Sequence, residues 1–480
     1  VEESSTAVPG YLPDSEVRRR LALRGRQFRH DNMIRPLAPT PADSVTVTAI
    51  SGAQRPLGYA ELWYTTDGRL PDAVNAHKLP MSQTTVQWEV EAGYMTHWEA
   101  TIPPQAAGTI VRYRMAGWQG NTAAGDPEVW AHDGHGFWFK VPDPQKGVSV
   151  FAYRVETWVE KQPAWLYDAV IYQIFLDRFH PGTADGRFAE GLDPVGKHGG
   201  TFKGVMAELP YLAELGINCL WLSPIGPAET YHRYDATDYF NVDPDLGSNE
   251  DLKGLIDQAH ALGMRVILDF VPSHCSWRHP AFVAAQQDQN ASEADWFVFE
   301  EWPDKYRTFL NMVPWLVSFN TNSEGARQHL IESAVQWVQD YGFDGLRLDH
   351  TIGQGMDFWV AFRAALRAAN PEVVTIGEAT DTPDALRAYR GRLDDILDFP
   401  LAHGLRMTFG RGDWSLSQFD HYLQMHEHYL AEGPERVSFL DNHDMNRFLF
   451  MANQDIERLK MAAVVQFTLT PTPTIYYGTE

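Results

Sequence analysis

The chain has 480 residues, 44% of them hydrophobic, and a formal net charge of -24. Its length and apolar content allow a large core divided over two or three domains, and its negative surface excludes nucleic acid and anionic membrane as natural partners, so a neutral substrate fits better. With only Cys219 and Cys275 present, disulfides do not organise the fold and a reducing, cytoplasmic setting suits the chain; no apolar run is long enough to cross a bilayer.

The sequence opens on Val1 rather than Met, which leaves export undecided. Arg18, Arg19, Arg20, Arg24, Arg26 and Arg29 make a local basic stretch, read as a solvated or docking segment near the terminus. Residues 1–155 then show short alternating runs separated by Gly, Pro, Asn and Asp turns: Val45 to Thr48, Ala60 to Tyr64, Trp98 to Ile102 and Val111 to Met115. This predicts an antiparallel β-sandwich. Trp63, Trp88, Trp98, Trp118 and Trp138 are suited either to stacking on sugars or, as the more ordinary fate, to core packing.

From Trp165 the rhythm becomes strand, helix, strand, helix. Apolar strands are predicted at Ala169 to Phe175, Ile217 to Leu222, Arg265 to Phe270, Gly342 to Asp349, Glu372 to Gly377, Asp394 to Asp398, Val437 to Leu440 and Thr474 to Tyr477. Ser248 and Asp251 are placed to cap a helix whose buried stripe is Leu252, Leu255, Ile256 and Ala259. Eight strands are the count of a closed (β/α)8 barrel over residues 156–480. An open doubly wound sheet is the alternative, but no Gly-rich phosphate loop follows the first strand. Residues 275–320, after the third strand, are too many for a plain loop and predict an inserted subdomain.

Barrel enzymes keep their chemistry at the C-terminal strand ends. Here the third strand ends in Asp269 and His274, the fourth in Arg347 and Asp349, the fifth in Glu378, and the seventh in Asp441, His443 and Asp444. Arg347 and Asp349, two apart, point the same way, and such a pair is expected to keep Asp349 ionised and low in pKa; a purely structural ion pair is the alternative. Asp349, Glu378 and Asp444 then converge on one mouth. Like charges so close push at least one pKa up, giving the proton donor and the ionised nucleophile that glycosidic cleavage requires.

These residues carry a resemblance. Asp269 to His274, Gly342 to Asp349, Gly377-Glu378, Phe439 to Asp444, Gly216 to Pro224 and His232 to Asp235 together resemble the α-amylase family of glycoside hydrolases, over roughly residues 165 to 480. The resemblance implies that Asp349 is the nucleophile, Glu378 the general acid/base and Asp444 the acid that grips sugar hydroxyls. It further implies that Arg347 positions Asp349, that His274 and His443 bind the sugar before the cleaved bond, that Tyr234 stacks on it, and that Asp235 is a further substrate-binding residue. A β-sandwich ahead of the barrel, with Tyr172 to Phe175 and Asp177 to Phe179, leans toward the cyclomaltodextrinase and neopullulanase group, so an α-glucan substrate and a homodimer are expectations.

The sequence also departs from the family. Ser273 stands where many members have a calcium-binding Asn, so no metal is assigned and no cofactor is expected to be required. His350 and Thr351 follow the nucleophile and Ala379 and Thr380 follow the acid, which leaves the acceptor side open. Nothing follows the eighth strand, so its outer face is expected to be wet unless a second chain or a further segment covers it. Three functions remain: hydrolysis of α-1,4 or α-1,6 glucosidic bonds, glucanotransfer through the same intermediate, and a non-catalytic scaffold.

Overall fold

The computed structural model describes residues 26–90, 92–133, 150–157, 163–469 and 472–480; Arg18, Arg19, Arg20, Arg24 and Trp138 lie outside them. The first part of the chain builds two five-stranded sheets. In one, Gly93–Ile102 pairs antiparallel with Val45–Gly52 and with Ser82–Glu89; in the other, Ile110–Trp118 pairs with Tyr59–Thr65 and with Phe151–Arg154. Val45, Val47 and Ala49 are buried while Thr46, Thr48 and Ile50 are half-buried, the two-residue period of a sheet with one face on the core. Packing is the fate of Trp63, Trp98 and Trp118, all buried, whereas Trp88 is exposed.

Eight parallel strands close the barrel: Ile171–Ile174, Cys219–Leu222, Arg265–Phe270, Gly345–Leu348, Val374–Gly377, Asp395–Leu397, Glu435–Phe439 and Pro473–Tyr476. All eight coincide with the runs read from the sequence, the third with the same bounds and the others displaced at one or both ends by at most three residues, and Ile171 pairs with Thr474 to shut the cylinder. The capping box is present: the Ser248 hydroxyl accepts from the Asp251 N–H and the Asp251 carboxylate accepts from the Ser248 N–H. Helix Glu324–Gln336 leads to the fourth strand through a widened turn, Trp337–Tyr341, and stops at Gly342 with φ 87°, a left-handed position that glycine occupies at least cost. Asp344 next accepts from Arg265 Nη1 and His260 Nε2, each at 2.7 Å, and from the Val266 N–H at 2.9 Å, which locks strand four beside strand three.

After strand three, the insertion forms a three-stranded sheet of His274–Ser276, Val313–Ser318 and Thr308–Phe309 and a two-stranded sheet of Phe299–Glu301 and Lys305–Tyr306, on whose Phe299 and Tyr306 Phe282 of helix Pro280–Gln287 packs. The sandwich docks on the barrel through buried arginines. Arg392, 1% exposed, donates to the carbonyls of Ala152 (3.2 Å), Asn32 (2.9 Å) and Ala388. Arg112 Nη2 reaches Asp357 at 3.0 Å, and Arg363 Nη1 reaches Glu156 at 3.3 Å.

The wet eighth strand expected from the sequence is corrected. Pro473, Thr474 and Tyr476 are buried and Ile475 is half-buried, because helix Ile456–Leu469 lies over strands seven and eight and Gln466 Nε2 donates to the carbonyls of Ser438 and Thr474. Exposure falls instead on that helix, at Met461 and Val464. Arg392→Ala would leave the Asn32 and Ala152 carbonyls without their donor inside the domain junction. The expected cost is about 2–4 kcal/mol in urea unfolding, with limited proteolysis separating sandwich from barrel earlier than in the wild type.

Candidate active site

The strands put polar side chains on one rim through register. Asp269 pairs with Arg347 across strands three and four, and Arg347 pairs with Ile376 of strand five. The ladder then continues one residue past the strand ends, with the Asp349 N–H on the Phe270 carbonyl and the Glu378 N–H on the Leu348 carbonyl, both at 2.9 Å. Asp349 and Glu378 are therefore delivered side by side on neighbouring strands.

Between them lies Arg347, wholly buried. Its Nη1 donates to Asp269 Oδ1 at 2.8 Å and to Asp349 Oδ1 at 3.0 Å, and its Nη2 forms an ion pair with Glu378 Oε2 at 2.9 Å. Glu378 Oε2 also accepts the His350 backbone N–H at 2.8 Å. To present that N–H, His350 adopts φ 47°, an unfavourable conformation of the kind concentrated at functional sites. The Thr351 N–H and hydroxyl both donate to the Glu378 carbonyl, at 3.0 and 2.8 Å, fixing the backbone behind the acid.

A second layer holds Asp269, whose Oδ2 accepts from Trp221 Nε1 at 3.1 Å and from the Tyr234 hydroxyl at 2.9 Å. Gln173 Nε2 lies 2.9 Å from His443 Nδ1, and His443 Nε2 lies 2.7 Å from the Tyr234 oxygen. The Tyr234 proton is committed to Asp269, so the network assigns the His443 proton to Nε2, donating to Tyr234. The rings of Tyr234 and His443 stack with centroids 5.3 Å apart and planes 6° from parallel, and Asp444 Oδ2 approaches His443 Nε2 at 3.3 Å.

Six of the eight site residues read from the sequence are thus joined: Arg347, Asp349, Glu378, Tyr234, His443 and Asp444. His274 borders them, 2% exposed, with Nδ1 2.7 Å from the Ser273 hydroxyl; its Nε2 completes no aligned hydrogen bond, although the Tyr234 carbonyl is near enough to offset a little of its burial. Asp235 is spent on its own loop, accepting the N–H groups of Glu229 and Thr230, each at 3.2 Å, and the Thr230 hydroxyl. It thereby fixes the turn that presents Tyr234. Sequence reasoning passed over Gln173 and Trp221. The signal for Gln173 was there, since a polar residue inside the apolar run Ile171–Ile174 must find a buried partner. Among the described residues no three His, Cys, Asp or Glu side chains converge as a metal site.

The expectation of a low pKa for Asp349 is corrected. Burial and the facing Glu378 charge push the Asp349 carboxyl well above the usual carboxylate range, and Arg347 cannot reverse this because its charge is divided among Asp349, Glu378 and Asp269. Burial would also raise Glu378, but Arg347 and the His350 N–H outweigh it and hold that carboxyl below its ordinary value. The two acids titrate as a unit, with Asp349 pushed up and Glu378 held down. Burial lowers His274 to about 3 and both His350 and His443 to about 4, so all three rings are neutral at pH 7.

Asp444 is pushed up to about 7 by the protein around its inner side and by the Glu378 charge, an effect tempered by its 56% exposed outer side. A carboxyl raised on folding makes the folded chain bind a proton that the unfolded chain releases, so its contribution to stability declines as pH rises from about 4 to about 7 and is flat above that. Asp444→Asn is free of this decline. Its melting temperature should gain on the wild type by about 1–3 °C across that window, with no further gain above pH 7, and a pH-independent difference would contradict the assignment.

The family model for the alpha amylase catalytic domain matches residues 173–480. Alpha-amylase 2 of Dictyoglomus thermophilum is 38% identical over 318 residues, covering 66% of this chain and 56% of that one. A cyclomaltodextrinase of Geobacillus thermopakistaniensis is 34% identical over 350 residues, covering 69% and 58% respectively. The chain thus spans less than two thirds of the length of these relatives. Among solved structures, a cyclomaltodextrinase superposes with a TM-score of 0.63 at 26% identity over 94% of this chain and 77% of its own, sandwich included. The cyclic alpha-maltosyl-(1-->6)-maltose hydrolase of Arthrobacter globiformis gives 0.61 at 29% identity over 67% and 76%. With the family model matching more than half of the chain, from its first barrel strand to its eighth, the protein belongs to the alpha-amylase family.

Proposed function

We propose that the protein is a retaining glycosidase that cleaves α-1,4, and in suitable substrates α-1,6, glucosidic bonds of starch-derived oligosaccharides, cyclodextrins or pullulan. The observation that carries the reading is the single Arg347 guanidinium shared by Asp349 and Glu378, since it favours the close carboxyl spacing of double displacement over the wide gap of inverting enzymes. The names of the relatives, cyclomaltodextrinase, maltogenic alpha-amylase and neopullulanase, support the substrate class.

In this mechanism Asp349 attacks the anomeric carbon while Glu378 protonates the departing oxygen, and Glu378 then serves as base for the incoming water. Glu378 must therefore carry the proton and Asp349 be ionised when sugar is bound. A glycosidic oxygen beside Glu378 favours its protonated, donating form, and positive charge developing at the anomeric carbon favours ionised Asp349. Arg347 contacts both acids and so holds them in either protonation state. Asp444, His443 and His274 hold the hydroxyls of the sugar on the non-reducing side, and Tyr234, braced by His443, offers it a ring face.

We also propose that turnover requires no added metal. Lys197 Nζ supplies a cation of the chain's own, 3.0 Å from the Ala228 carbonyl, 3.4 Å from Asp243 and 2.7 Å from Asp245, and the Ser273 hydroxyl is engaged with His274. Excess EDTA should leave both melting temperature and rate unchanged, and recovery of activity on calcium addition would contradict this.

Asp349→Asn is expected to lower kcat at least about 10³-fold while keeping the wild-type circular dichroism spectrum. Chromatography after incubation with maltotetraose, β-cyclodextrin and pullulan should show shorter sugars; products longer than the substrate would assign transfer, and no reaction would remove the glycosidase reading.

A further inference from the structure

The turn that brings the His350 N–H to Glu378 is short, and one side chain at its far end ties it to the rest of the rim. From His350 the chain makes a single tight helical turn, Thr351–Gly353, with the Gly353 N–H on the His350 carbonyl at 3.0 Å, and leaves it at Gln354 in extended conformation. His350 holds φ 47°, and a residue other than glycine stays there only where its surroundings over-determine it. Thr351 supplies one constraint by donating to the Glu378 carbonyl, and Trp359 Nε1 a second by donating to the Thr351 carbonyl at 3.1 Å. Gln354 supplies a third from another direction.

Gln354 is 8% exposed, and both ends of its amide are engaged. Its Nε2 donates to the Pro272 carbonyl at 3.1 Å, and its Oε1 accepts the Thr321 hydroxyl at 2.7 Å. A carbonyl can only accept, so Pro272 fixes which end of the amide is nitrogen. Pro272 and Thr321 stand at the entry and the exit of the inserted subdomain, where the Phe319 N–H bonds the Ser273 carbonyl at 3.1 Å. Pro272 also directly precedes Ser273, whose hydroxyl is paired with His274. Thr321 is anchored in turn: its carbonyl accepts from Arg327 Nη1 at 3.1 Å, and Arg327 shares Asp357 with Arg112 of the sandwich. A side chain that only filled space would need no amide here. This one joins the turn behind Glu378 to both stems of the subdomain that bears His274.

We propose that Gln354 is a positioning residue for the proton donor: by clasping the two stems of the inserted subdomain, it holds the turn from His350 where the His350 N–H meets Glu378 Oε2. The inference rests on the glycosidase reading and adds to it a residue that touches no substrate yet sets how well Glu378 protonates the departing oxygen. Because Gln354 acts through the acid, its loss is felt where the leaving group needs a proton and spared where it does not.

Two substrates separate that role from general support of the site, since a sugar leaves only with a proton whereas fluoride, a weak base, leaves without one. Gln354→Met keeps the length of the side chain and loses both hydrogen bonds. Its kcat/KM for maltotetraose should fall about 10–100-fold, the range expected for a displaced acid–base group. Its kcat/KM for α-maltosyl fluoride, followed by fluoride release, should stay within about 2-fold of the wild type. Thr321→Val, which removes one hydroxyl, should show the same split with a loss of about 5-fold on maltotetraose, and Thr321→Ser should match the wild type on both; this pair decides the matter should Gln354→Met fail to fold. Equal losses on both substrates, or no loss on either, would overturn the proposal. A wild type active on both substrates leaves the glycosidase reading standing whichever way the variants behave, whereas a wild type inactive on both would overturn that reading and this proposal together.

Discussion

One buried guanidinium organises the site. Arg347 has no solvent to fall back on, and a cation taken from water into a protein interior is tolerated only when carboxylates surround it. Here three do: Asp269 from strand three, Asp349 from strand four and Glu378 from strand five. A single positive charge among three acids leaves the cluster short of cations, and with burial this pushes Asp269 and Asp349 above their ordinary values.

The rest of the fold can be understood as keeping those strand ends in register. Asp344 ties the start of strand four to strand three, and the arginine-lined junction with the sandwich braces helix Met356–Ala369, which follows the loop after strand four. The inserted subdomain closes over strand three and carries Phe309 to the rim. At the other side of the mouth, Gln173 on strand one orients His443 beyond strand seven. Elements far apart in sequence thus meet through a few directional contacts, each satisfying a buried polar group that would otherwise be costly.

Much of this was legible in the sequence. The eight strands announced themselves as short apolar runs between amphipathic helices, and the ends of the sixth shifted because its bounding residues, Asp394 and Asp398, are polar groups buried at the rims rather than turns. The acids and Arg347 were legible because they follow apolar strands directly. The upward shift of Asp349 was not: it comes from burial and the facing Glu378, with Arg347 shared with Asp269 across a strand register that spacing along the chain does not reveal. Asp235 reads like a site residue beside Tyr234, yet its carboxylate is consumed by its own turn.

The account stands on a covalent bond between substrate and Asp349. Incubation with a 5-fluoro glucosyl fluoride, which slows breakdown of such an intermediate, followed by proteolysis and peptide mass spectrometry, tests it most directly. The account predicts one glucosyl adduct, on the peptide containing Gly345 to Asp349, as an ester of the Asp349 carboxylate. An adduct on Glu378 or Asp444, or turnover with no adduct and inverted configuration in the first-formed product, would contradict it.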